Sequence, residues 1–406
     1  MLAKAIRADI YWVGAIDWGI RDFHGYEIPH GTTYNNYLIV DDETTLLDTV
    51  KYDFAETTIR NIKSLVQPST IRHIVINHIE NDHATSLDRI MGLLTPKAII
   101  HLTERGKKGL ERFFDTSQWE IRVVKTGDTL TIGKHTLLFI ETPMLHWPDS
   151  MMTYIKDEKI LISQDGFGQH MASAARFDDE FIQSESVSAL EDAVVDYYAN
   201  ILMPFGQIIK TKIAEIQKLG LEIELIAPDH GIIWRQDPQK VIQMYLDMAD
   251  GKADLSVSII YDTMWQGTEM MTLPVMEGIK DEGVECKVIK LRATPISTAV
   301  KEFWKSRGSL IGTSTLNNLM LPSVARFLYQ LRGLRPKNRI VGVFGAYGWG
   351  GGGVKEAYEE LKKMGLEIVE PGLQILYRPS SEDETKCYEF GKMFAKKVKE
   401  YHSIFH

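Results

Sequence analysis

The segment Asn77-His78-Ile79-Glu80-Asn81-Asp82-His83 concentrates side chains that bind metal ions. Imidazole and carboxylate groups are common ligands of zinc and non-haem iron. His78 and Glu80 are two residues apart, so extended backbone points both to the same side. Asp82 and His83 follow the turn and can reach a second ion. A polar helix N-terminus with Asp82 as its capping residue is the competing interpretation.

Two predicted elements position this segment. The β-branched run Ile71–Ile76 predicts a buried strand before it, and Ala84–Leu93 predicts a helix after it. Ligands at strand ends are held more rigidly than ligands on loops. Further metal-capable side chains, His146, Asp165 and His230, each follow another predicted strand. A lone loop histidine or Asp-Gly is usually unremarkable, but the repeated strand-end position predicts one shared site.

The N-terminal half, residues 1–253, alternates short strands with turns and helices such as Ser188–Met203. This pattern favours two sheets packed face to face between helical layers. Together with the metal-capable residues, it resembles the metallo-β-lactamase-like αββα sandwich. Hydrolases of that fold carry His-x-His-x-Asp-His, whereas Glu80 stands at the second histidine here. Carboxylates with two histidines per metal suit non-haem iron better than zinc.

The resemblance implies a ligand set for two ions. Three carboxylates and one bridging hydroxide would neutralise two ferrous ions, and a buried cluster with balanced charge costs less than a charged one. One iron is expected to bind His78, Glu80 and His146, and the other Asp82, His83 and His230, with Asp165 across both.

The C-terminal half, residues 254–406, repeats strand, loop and helix, and Ala249–Asp254 is the expected linker. Five strands, of which Leu366–Val369 is the last, predict a doubly wound parallel sheet with flavodoxin-like order. In such sheets a ligand binds beyond the carboxyl ends of the strands.

Three loops follow successive strands there. Asp262–Thr268 opens a helix whose N–H groups can hold a phosphate, and it lacks the Gly-x-Gly-x-x-Gly pattern of dinucleotide sites. Gly312–Asn317 and Gly345–Gly353 complete the set. One such loop is usually a plain turn, but three together predict FMN. The expected cofactor-binding residues are Thr263, Met264, Trp265, Gln266, Gly267, Thr268, Thr313, Ser314, Thr315, Leu316, Asn317, Ala346, Tyr347, Gly348, Trp349, Gly350 and Gly351.

Over its full length the chain resembles the flavodiiron proteins (A-type flavoproteins), most closely the F420-dependent oxidases of methanogenic archaea. The motifs that carry the resemblance are 77–83, 146–150, 165–170, 228–231 and 347–351. The sequence departs from the family pattern at Gln164, Gly166 and Asp229. None of the seven expected ligand residues is changed by these departures. The resemblance implies reduction of dioxygen to water, or alternatively of nitric oxide to nitrous oxide. It also implies two irons, FMN, and reduced coenzyme F420 or rubredoxin as electron donor.

The resemblance further implies a head-to-tail homodimer, with a dimer of dimers expected, that sets one subunit's FMN against the other's irons. His24 resembles a family residue near the gas-binding face. Tyr198, or its neighbour Tyr197, is expected to line the same pocket. Trp147 is expected to form its wall, and His170 is expected to be structural.

Composition restricts the remaining classes. The 406 residues carry a net charge of −9, with 44% hydrophobic and 25% charged residues, which argues against nucleic-acid and membrane partners. Two cysteines exclude a disulfide framework and a built-in rubredoxin, so a cytoplasmic location is expected. The rival functions are a dizinc hydrolase fused to an electron-transfer module, and a redox or gas sensor, for which no output domain is expected after His406.

Overall fold

Seven strands form the first sheet of the N-terminal half, and five strands form the second. The computed structural model describes residues 3–94 and 98–401, so the outermost ends of both predicted domains lie outside the described residues. The first sheet has the order Lys4–Arg7, Ile10–Trp12, Tyr37–Ile39, Thr45–Leu47, His73–Val75, Ile99–Leu102 and Glu120–Val123. The second has the order Thr129–Thr131, Thr136–Glu141, Met151–Ile155, Ile160–Gln164 and Leu225–Pro228.

The inner faces of these two sheets share one apolar core. Trp12, Tyr37 and Val75 of the first sheet meet Phe139 and Ile162 of the second, and each is at most 1% exposed. Residues of a strand alternate between its two faces, so every second side chain enters this core. The sheets therefore pack face to face, as the sequence predicts.

The outer face of the first sheet is covered by helices. Ile74 packs there in one cluster with Ile59 of helix Ala55–Lys63 and Leu110 of helix Glu104–Phe113. Each helix turns an apolar stripe toward the sheet and a charged side outward. The predicted mixed α/β fold, with sheets and helices in layers, is confirmed.

The predicted helix Ala84–Leu93 is wrong in its bounds. Two short helices, Asn81–Ala84 and Leu87–Met91, occupy this region. Ser86 separates them because its N–H donates to the Val50 carbonyl at 3.0 Å and its hydroxyl accepts from the Val50 N–H at 3.1 Å. A tertiary contact thus replaces local helical bonding, which the apolar pattern does not reveal.

The predicted helix Ser188–Met203 is regular only over Val187–Tyr197. The wider turn Tyr198–Leu202 and the tighter turn Met203–Phe205 follow it. Pro204 lacks an N–H group and interrupts the helical hydrogen bonds at this point. The remaining helices of this half are Asp178–Ser184, Gly206–Lys218 and Pro238–Ala249.

The C-terminal sheet is parallel throughout. Its order is Glu285–Lys290, Asp254–Tyr261, Ser306–Gly312 and Ile340–Tyr347, followed by Glu367–Ile368 and Leu373–Leu376 on the same edge. This is the predicted flavodoxin-like order. The helices are Gly267–Asp281, Ile296–Lys305, Pro322–Leu334, Gly353–Lys362 and Ser381–Glu400.

The fifth strand of this sheet is split. Only its first piece, Glu367–Ile368, falls within the predicted strand Leu366–Val369, and Leu373–Leu376 was not predicted. Pro371 lies in the interruption and has no N–H to donate to a neighbouring strand. The shorter elements of the chain are Ala15–Asp17, Asp22–Phe23, Tyr26–Glu27, Thr32–Tyr34, Tyr52–Phe54, Pro68–Thr70, Leu291–Ala293, Thr315–Leu316 and Leu319–Met320.

The chain divides into two compact units. Among the described residues, one unit comprises those up to Phe23 together with those of Ile28–Tyr197 and Gln207–Leu246. The other comprises His24–Glu27, Tyr198–Gly206 and the described residues from Asp247 onward. The division at residue 253 stays a prediction, since two short N-terminal segments group with the C-terminal unit.

Candidate metal centre and cofactor pocket

The loop that carries the first cluster is anchored at Asn77. Asp48, just beyond the strand Thr45–Leu47, accepts hydrogen bonds from the Asn77 backbone N–H at 2.7 Å and from its Nδ2 at 2.6 Å. Thr153 donates its hydroxyl to Asn77 Oδ1 at 2.7 Å. All three side chains are buried, where hydrogen bonds are electrostatically stronger. Residues of both sheets therefore hold the start of the cluster.

The structure brings all seven predicted metal-binding side chains together. They form two groups, and within each group one ligand atom of every member lies within 4.8 Å of the others. The groups are His78, Glu80, His146 and Asp165, and Asp82, His83 and His230. This division matches the one expected for two ions.

Asp165 lies between the groups. Its Oδ2 is 3.2 Å from His146 Nε2 and 3.5 Å from His78 Nε2. Its Oδ1 is 3.1 Å from His83 Nε2 and 3.5 Å from His230 Nε2. A carboxylate with one oxygen toward each group has the geometry of a bridging ligand.

Hydrogen bonds orient two of the imidazoles. Asp149 Oδ2 lies 3.0 Å from His78 Nδ1, placed to accept its proton, and accepts the Ile79 N–H at 2.9 Å. His230 Nδ1 donates to the Thr33 carbonyl at 2.6 Å. Each bond occupies Nδ1 and leaves Nε2 directed at the centre, which is how a protein sets the tautomer of a histidine ligand.

Asp229 faces a third imidazole. Its Oδ2 lies 3.6 Å from His83 Nδ1, beyond hydrogen-bond distance, so this departure from the family pattern stands next to the ring of His83 in space although it adjoins His230 in sequence. Burial, followed by the Asp48 carboxylate, raises the pKa of Asp229 well above its usual value. The departure Gln164 donates its amide to the Leu145 carbonyl. The departures thus surround the centre without replacing a ligand.

Carboxylates dominate the electrostatics. Burial alone lowers the pKa of His78, but bonds with Asp149 and Glu80 raise it to about 10. Burial raises the pKa of Asp165, but the imidazole of His83 and its neighbours hold it well below the usual value. The cluster therefore requires positive charge among its carboxylates.

Several inward-facing atoms fit that requirement. Both carboxylate oxygens of Asp82, Nε2 of His83 and Oδ1 of Asp165 are buried. His83 Nε2 lies 3.1 Å from Asp165 Oδ1 and His230 Nε2 lies 3.2 Å from Asp82 Oδ2, but none of the four buried atoms forms a well-directed hydrogen bond among the described residues. Buried polar atoms without partners are rare, and metal ligation is one way to satisfy them. The residues present thus fit two cations, and the mixture of carboxylate and imidazole groups suits iron.

Aromatic rings enclose the centre. The Trp147 ring lies 5.2 Å from that of His78, consistent with the predicted wall. Phe23, which the sequence did not single out, lies 4.8 Å from the ring of His170. The ring of Tyr197 lies 4.9 Å from that of His170. These apolar surfaces restrict water around the ligands.

His170 belongs to neither metal-binding group. Its Nδ1 lies 2.9 Å from Thr32 Oγ1, and its ring lies 4.8 Å from that of His230. Burial, followed by the charge of His230, lowers the pKa of His170 well below its usual value. A neutral, hydrogen-bonded imidazole that supports a ligand ring is consistent with the expected structural role.

The two tyrosines have different surroundings within their own units, and the choice of Tyr198 over Tyr197 stays a prediction. The Tyr197 ring lies 6.3 Å from that of His230 in the first unit, and the Tyr198 ring, which belongs to the second unit, stacks on Trp304 of that same unit at 5.9 Å. Successive helical residues point about 100° apart, so only one of the pair faces a given site. His24 is exposed in the turn between Asp22–Phe23 and Tyr26–Glu27 and belongs to the other unit. Its role stays a prediction.

A pocket of about 520 Å³ opens at the carboxyl ends of the parallel strands. Most of the predicted cofactor-binding residues line it. The lining residues are Met264, Trp265, Ser314, Thr315, Leu316, Asn317, Asn318, Ala346, Tyr347, Gly348, Trp349, Gly350, Tyr377 and Arg378. The volume lies in the range of cofactor sites, and the exposed rings of Trp265 and Trp349 offer stacking surfaces for a flat ring.

The other predicted cofactor-binding residues lie outside this wall, namely Thr263, Gln266, Gly267, Thr268, Thr313 and Gly351. Some of them join the loops. Thr268 Oγ1 lies 2.9 Å from Ser314 Oγ and accepts the Ala346 N–H at 3.2 Å. The Met264 N–H donates to Ser314 Oγ at 3.0 Å. Three loops from separate strands are thereby held as one surface.

The helix Gly267–Asp281 begins at this surface without a side-chain cap. Trp265 and Gln266 precede it with φ values of +52° and +64°. The first N–H groups of a helix have no partner within it and attract phosphate groups. The residues therefore fit the phosphate and the ring of a mononucleotide.

Tyr377 and Arg378 line the pocket but were missed. They follow the unpredicted second piece of the fifth strand, Leu373–Leu376. The signal was present, since an aromatic and a basic residue after a short apolar run repeat the strand-end pattern of the other loops. Among the described residues, no helix is both long and apolar enough to cross a membrane.

Comparisons with known proteins agree with both sites. Residues 32–231 match the ODP family beta lactamase model, and residues 259–391 match the flavodoxin model. A protein named nitric oxide reductase from Moorella thermoacetica is 45% identical over 397 residues, which cover 97% of this chain and 98% of the relative. An anaerobic nitric oxide reductase flavorubredoxin from Pectobacterium carotovorum is 38% identical, with 97% of this chain and 78% of the relative covered.

Solved structures show the same architecture. The rubredoxin oxygen:oxidoreductase from Desulfovibrio gigas matches with a TM-score of 0.93 and 38% identity, covering 98% of this chain and 99% of the other. The flavodiiron protein from Giardia intestinalis matches with a TM-score of 0.93 and 32% identity, covering 99% and 98%. All seven clustered side chains lie in the first matched region, and the pocket lies in the second. The chain belongs to the flavodiiron proteins, which join a β-lactamase-like domain with a diiron centre to a flavodoxin domain that holds FMN.

Proposed function

We propose that this protein passes electrons from FMN to a diiron centre, where nitric oxide is reduced to nitrous oxide. Two molecules of nitric oxide, two electrons and two protons give nitrous oxide and water. The names of the Moorella and Pectobacterium relatives support this substrate. Dioxygen, which four electrons and four protons convert to water, is the second candidate and the one expected from sequence. The name of the Desulfovibrio structure supports it.

One observation carries the proposal: seven metal-capable side chains converge in two groups with Asp165 between them. His78, Glu80 and His146 would hold one iron, Asp82, His83 and His230 the other, and Asp165 both. Iron ions so held supply a pair of redox centres side by side, and FMN supplies electrons singly.

The chain itself holds the ligands in place and limits the access of water. Asp149 keeps Nε2 of His78 directed at the centre, and the Thr33 carbonyl does the same for His230. The ring of Trp147 covers one side of the cluster. A rigid and partly dry site lowers the reorganisation that accompanies electron transfer.

Rubredoxin is the proposed electron donor, because the Pectobacterium and Desulfovibrio proteins carry it in their names. Reduced coenzyme F420, the donor expected from the sequence resemblance, is the alternative. F420 needs a flat contact over the flavin, whereas rubredoxin needs a docking surface. A cytoplasmic location is also proposed, supported by two cysteines that form no disulfide.

The test is anaerobic reduction of the purified protein with rubredoxin or reduced F420, followed by stopped-flow mixing with each gas. We expect rubredoxin to reduce the flavin rapidly. Nitric oxide should then reoxidise the reduced protein at least as fast as the steady-state turnover measured with that donor. Faster reoxidation by dioxygen would transfer the proposal to the second candidate. Failure of both gases to reoxidise the reduced protein would refute gas reduction altogether and favour a sensor.

Metal analysis separates the reductase from a dizinc hydrolase. We expect about two irons per chain and one FMN after anaerobic purification with iron supplied. Zinc at the same stoichiometry, with hydrolysis of an ester or lactam, would replace the reductase proposal with the hydrolase.

A head-to-tail homodimer is proposed because electron transfer requires the flavin and the irons to be close, and the two sites lie in different compact units. The test mixes two inactive variants after reversible dissociation, one impaired in iron binding (His83→Asn) and one in FMN binding (Gly345→Ala). Mixed dimers with one intact pair of sites should recover activity. A parent monomer with full activity, or no recovery from verified mixed dimers, would contradict the arrangement.

A further inference from the structure

Two carboxylates stand beside the loop that the proposed function assigns to the FMN phosphate. Asp262 is the first residue of that loop and is fully buried. Glu269 lies in the first turn of the helix that follows it. An anion bound at a helix N-terminus is repelled by neighbouring negative charge. These carboxylates must be neutralised if the loop is to bind a phosphate.

A cation reaches Asp262 from a separate element. Arg292, in the short turn Leu291–Ala293, places its Nε 2.7 Å and 2.8 Å from the two oxygens of Asp262. Its Nη2 donates to the Thr263 carbonyl, the next residue of the loop. The Ser323 hydroxyl donates to Asp262 Oδ2. Arg292 thus both balances the charge of Asp262 and fixes the start of the loop.

The second carboxylate has a matching partner. Lys290 places its Nζ 3.0 Å and 3.1 Å from the two oxygens of Glu269. The Tyr261 hydroxyl donates to Glu269 Oε1 at 3.0 Å. Lys290 and Arg292 are two residues apart, so one short basic segment compensates both carboxylates.

The burial of the two partners differs. The side chain of Asp262 is 0% exposed, whereas that of Arg292 is 60% exposed. Removal of Arg292 therefore leaves no cavity in the core but leaves an uncompensated buried charge at the start of the loop. Loss of this ion pair should therefore change the net charge at the loop more than it changes the packing of the core.

We propose that Arg292 is a positioning residue for the phosphate group of FMN, with Lys290 as its counterpart at Glu269. The inference rests on the proposed function, in which this pocket holds FMN. Arg292 does not need to touch the cofactor. It compensates Asp262, so the loop N–H groups can donate hydrogen bonds to a phosphate ester, and the chain prefers FMN to riboflavin, which lacks that group.

The test measures fluorescence-quenching titrations of FMN and riboflavin with full-length protein after reversible removal of its flavin. The variants are Arg292→Met, Asp262→Asn and the double variant. Arg332→Met is the matched control, because Arg332 forms an ion pair with Glu360 at 2.8 Å in the same unit, away from the pocket wall.

Arg292→Met should weaken FMN binding by roughly tenfold or more, while riboflavin binding changes by less than about threefold. The double variant, which also removes the buried charge, should return FMN binding to within about threefold of the parent value. Arg332→Met should change neither the affinity for FMN nor the affinity for riboflavin. FMN and riboflavin differ only in the phosphate group, so the ratio of their dissociation constants reports on phosphate binding. A general loss of stability would weaken the binding of both flavins alike.

Equal weakening of both flavins in Arg292→Met, or a double variant no better than the single one, would overturn the inference. Should Arg292→Met not fold, Arg292→Gln and Arg292→Lys decide the question. Arg292→Gln removes the positive charge and should lose most of the preference for FMN, whereas Arg292→Lys keeps the charge and should retain that preference; equal preference in the two variants refutes the role. A parent protein that binds neither flavin would instead refute the proposed function.

Discussion

Asp149 offers a direct test of how the chain holds its metal ligands. One oxygen of this carboxylate, Oδ2, lies 3.0 Å from His78 Nδ1 and accepts the Ile79 N–H at 2.9 Å. Asp149→Asn keeps the shape and one acceptor oxygen but removes the charge. Loss of such a supporting carboxylate costs about 10–100-fold in metal affinity, or roughly 1.4–2.8 kcal/mol.

Asp149→Ala should be more severe than Asp149→Asn. It leaves the His78 Nδ1–H and the Ile79 N–H without an acceptor in a buried position, at about 1–3 kcal/mol each. We therefore expect the order parent, Asp149→Asn and Asp149→Ala both for iron affinity and for the free energy of unfolding. FMN content should stay at the parent level in both variants.

The assay is competition for ferrous iron with a chelator of known affinity under anaerobic conditions, with FMN absorbance measured on the same samples. Asp178→Asn is the matched control. Asp178 is 3% exposed, as buried as Asp149 at 4%, and accepts backbone N–H groups of Arg235 and Gln236 but bonds no metal ligand. Parent-level iron affinity in Asp149→Ala would refute the role given to this carboxylate.

Three further changes probe other parts of the chain. His83→Asn should abolish gas reduction while flavin absorbance is retained; retained turnover would contradict the ligand set. Gly345→Ala should lower FMN occupancy without loss of iron, since a Cβ there would overlap the Thr313 carbonyl, whereas at Gly333 it would meet nothing within 4 Å and Gly333→Ala should bind FMN normally. Burial, followed by the neighbouring His73 charge, lowers the pKa of His101 from 6.5 to about 3. The contribution of neutral His101 to the free energy of unfolding is therefore fully present above pH 6.5. It falls as the pH is lowered toward 3, by up to about 1.4 kcal/mol per pH unit. Denaturant unfolding of His101→Gln should accordingly depend less on pH between 6.5 and 4, and an unchanged slope would refute this assignment.

The metal centre was accessible from sequence because its residues share a local context. Each follows a strand, and strand ends are recognisable from β-branched runs and turn residues. Asp149 and Asp229 were not assigned to His78 and His83, because those contacts join residues about 70 and 150 positions apart. No local pattern encodes such a pairing, which depends on how the two sheets pack.

The rotational orientation of a helix about its axis also limited what could be predicted from the sequence. Tyr197 and Tyr198 are adjacent, and their order along the chain does not tell which ring faces the centre. The regular helix Val187–Tyr197 ends at this pair and gives way to the wider turn Tyr198–Leu202. A small error in the phase of the helix therefore exchanges the two rings, and tertiary packing decides between them.

The flavin pocket was predicted least well where the strand pattern is interrupted. The apolar run Leu366–Val369 predicted the fifth strand, but Leu373–Leu376 carries the chain to the pocket edge. The latter pairs with the end of Ile340–Tyr347, in the register Tyr347 opposite Leu376. Tyr377 therefore lies beside the loop of Tyr347, a placement that the strand register explains.

The metal centre and the flavin pocket share one structural feature, a buried carboxylate that is hydrogen-bonded at the base of a ligand-binding loop. A loop that follows a strand must expose polar groups to a ligand and yet stay rigid, although it lacks the hydrogen bonds of the sheet. At the metal centre, the buried Asp48 holds Asn77 at the base of the loop. At the flavin pocket, the buried Asp262 is held by Arg292. Because partners stabilise a buried carboxylate, these contacts restrict the conformation of each loop without involving a cofactor.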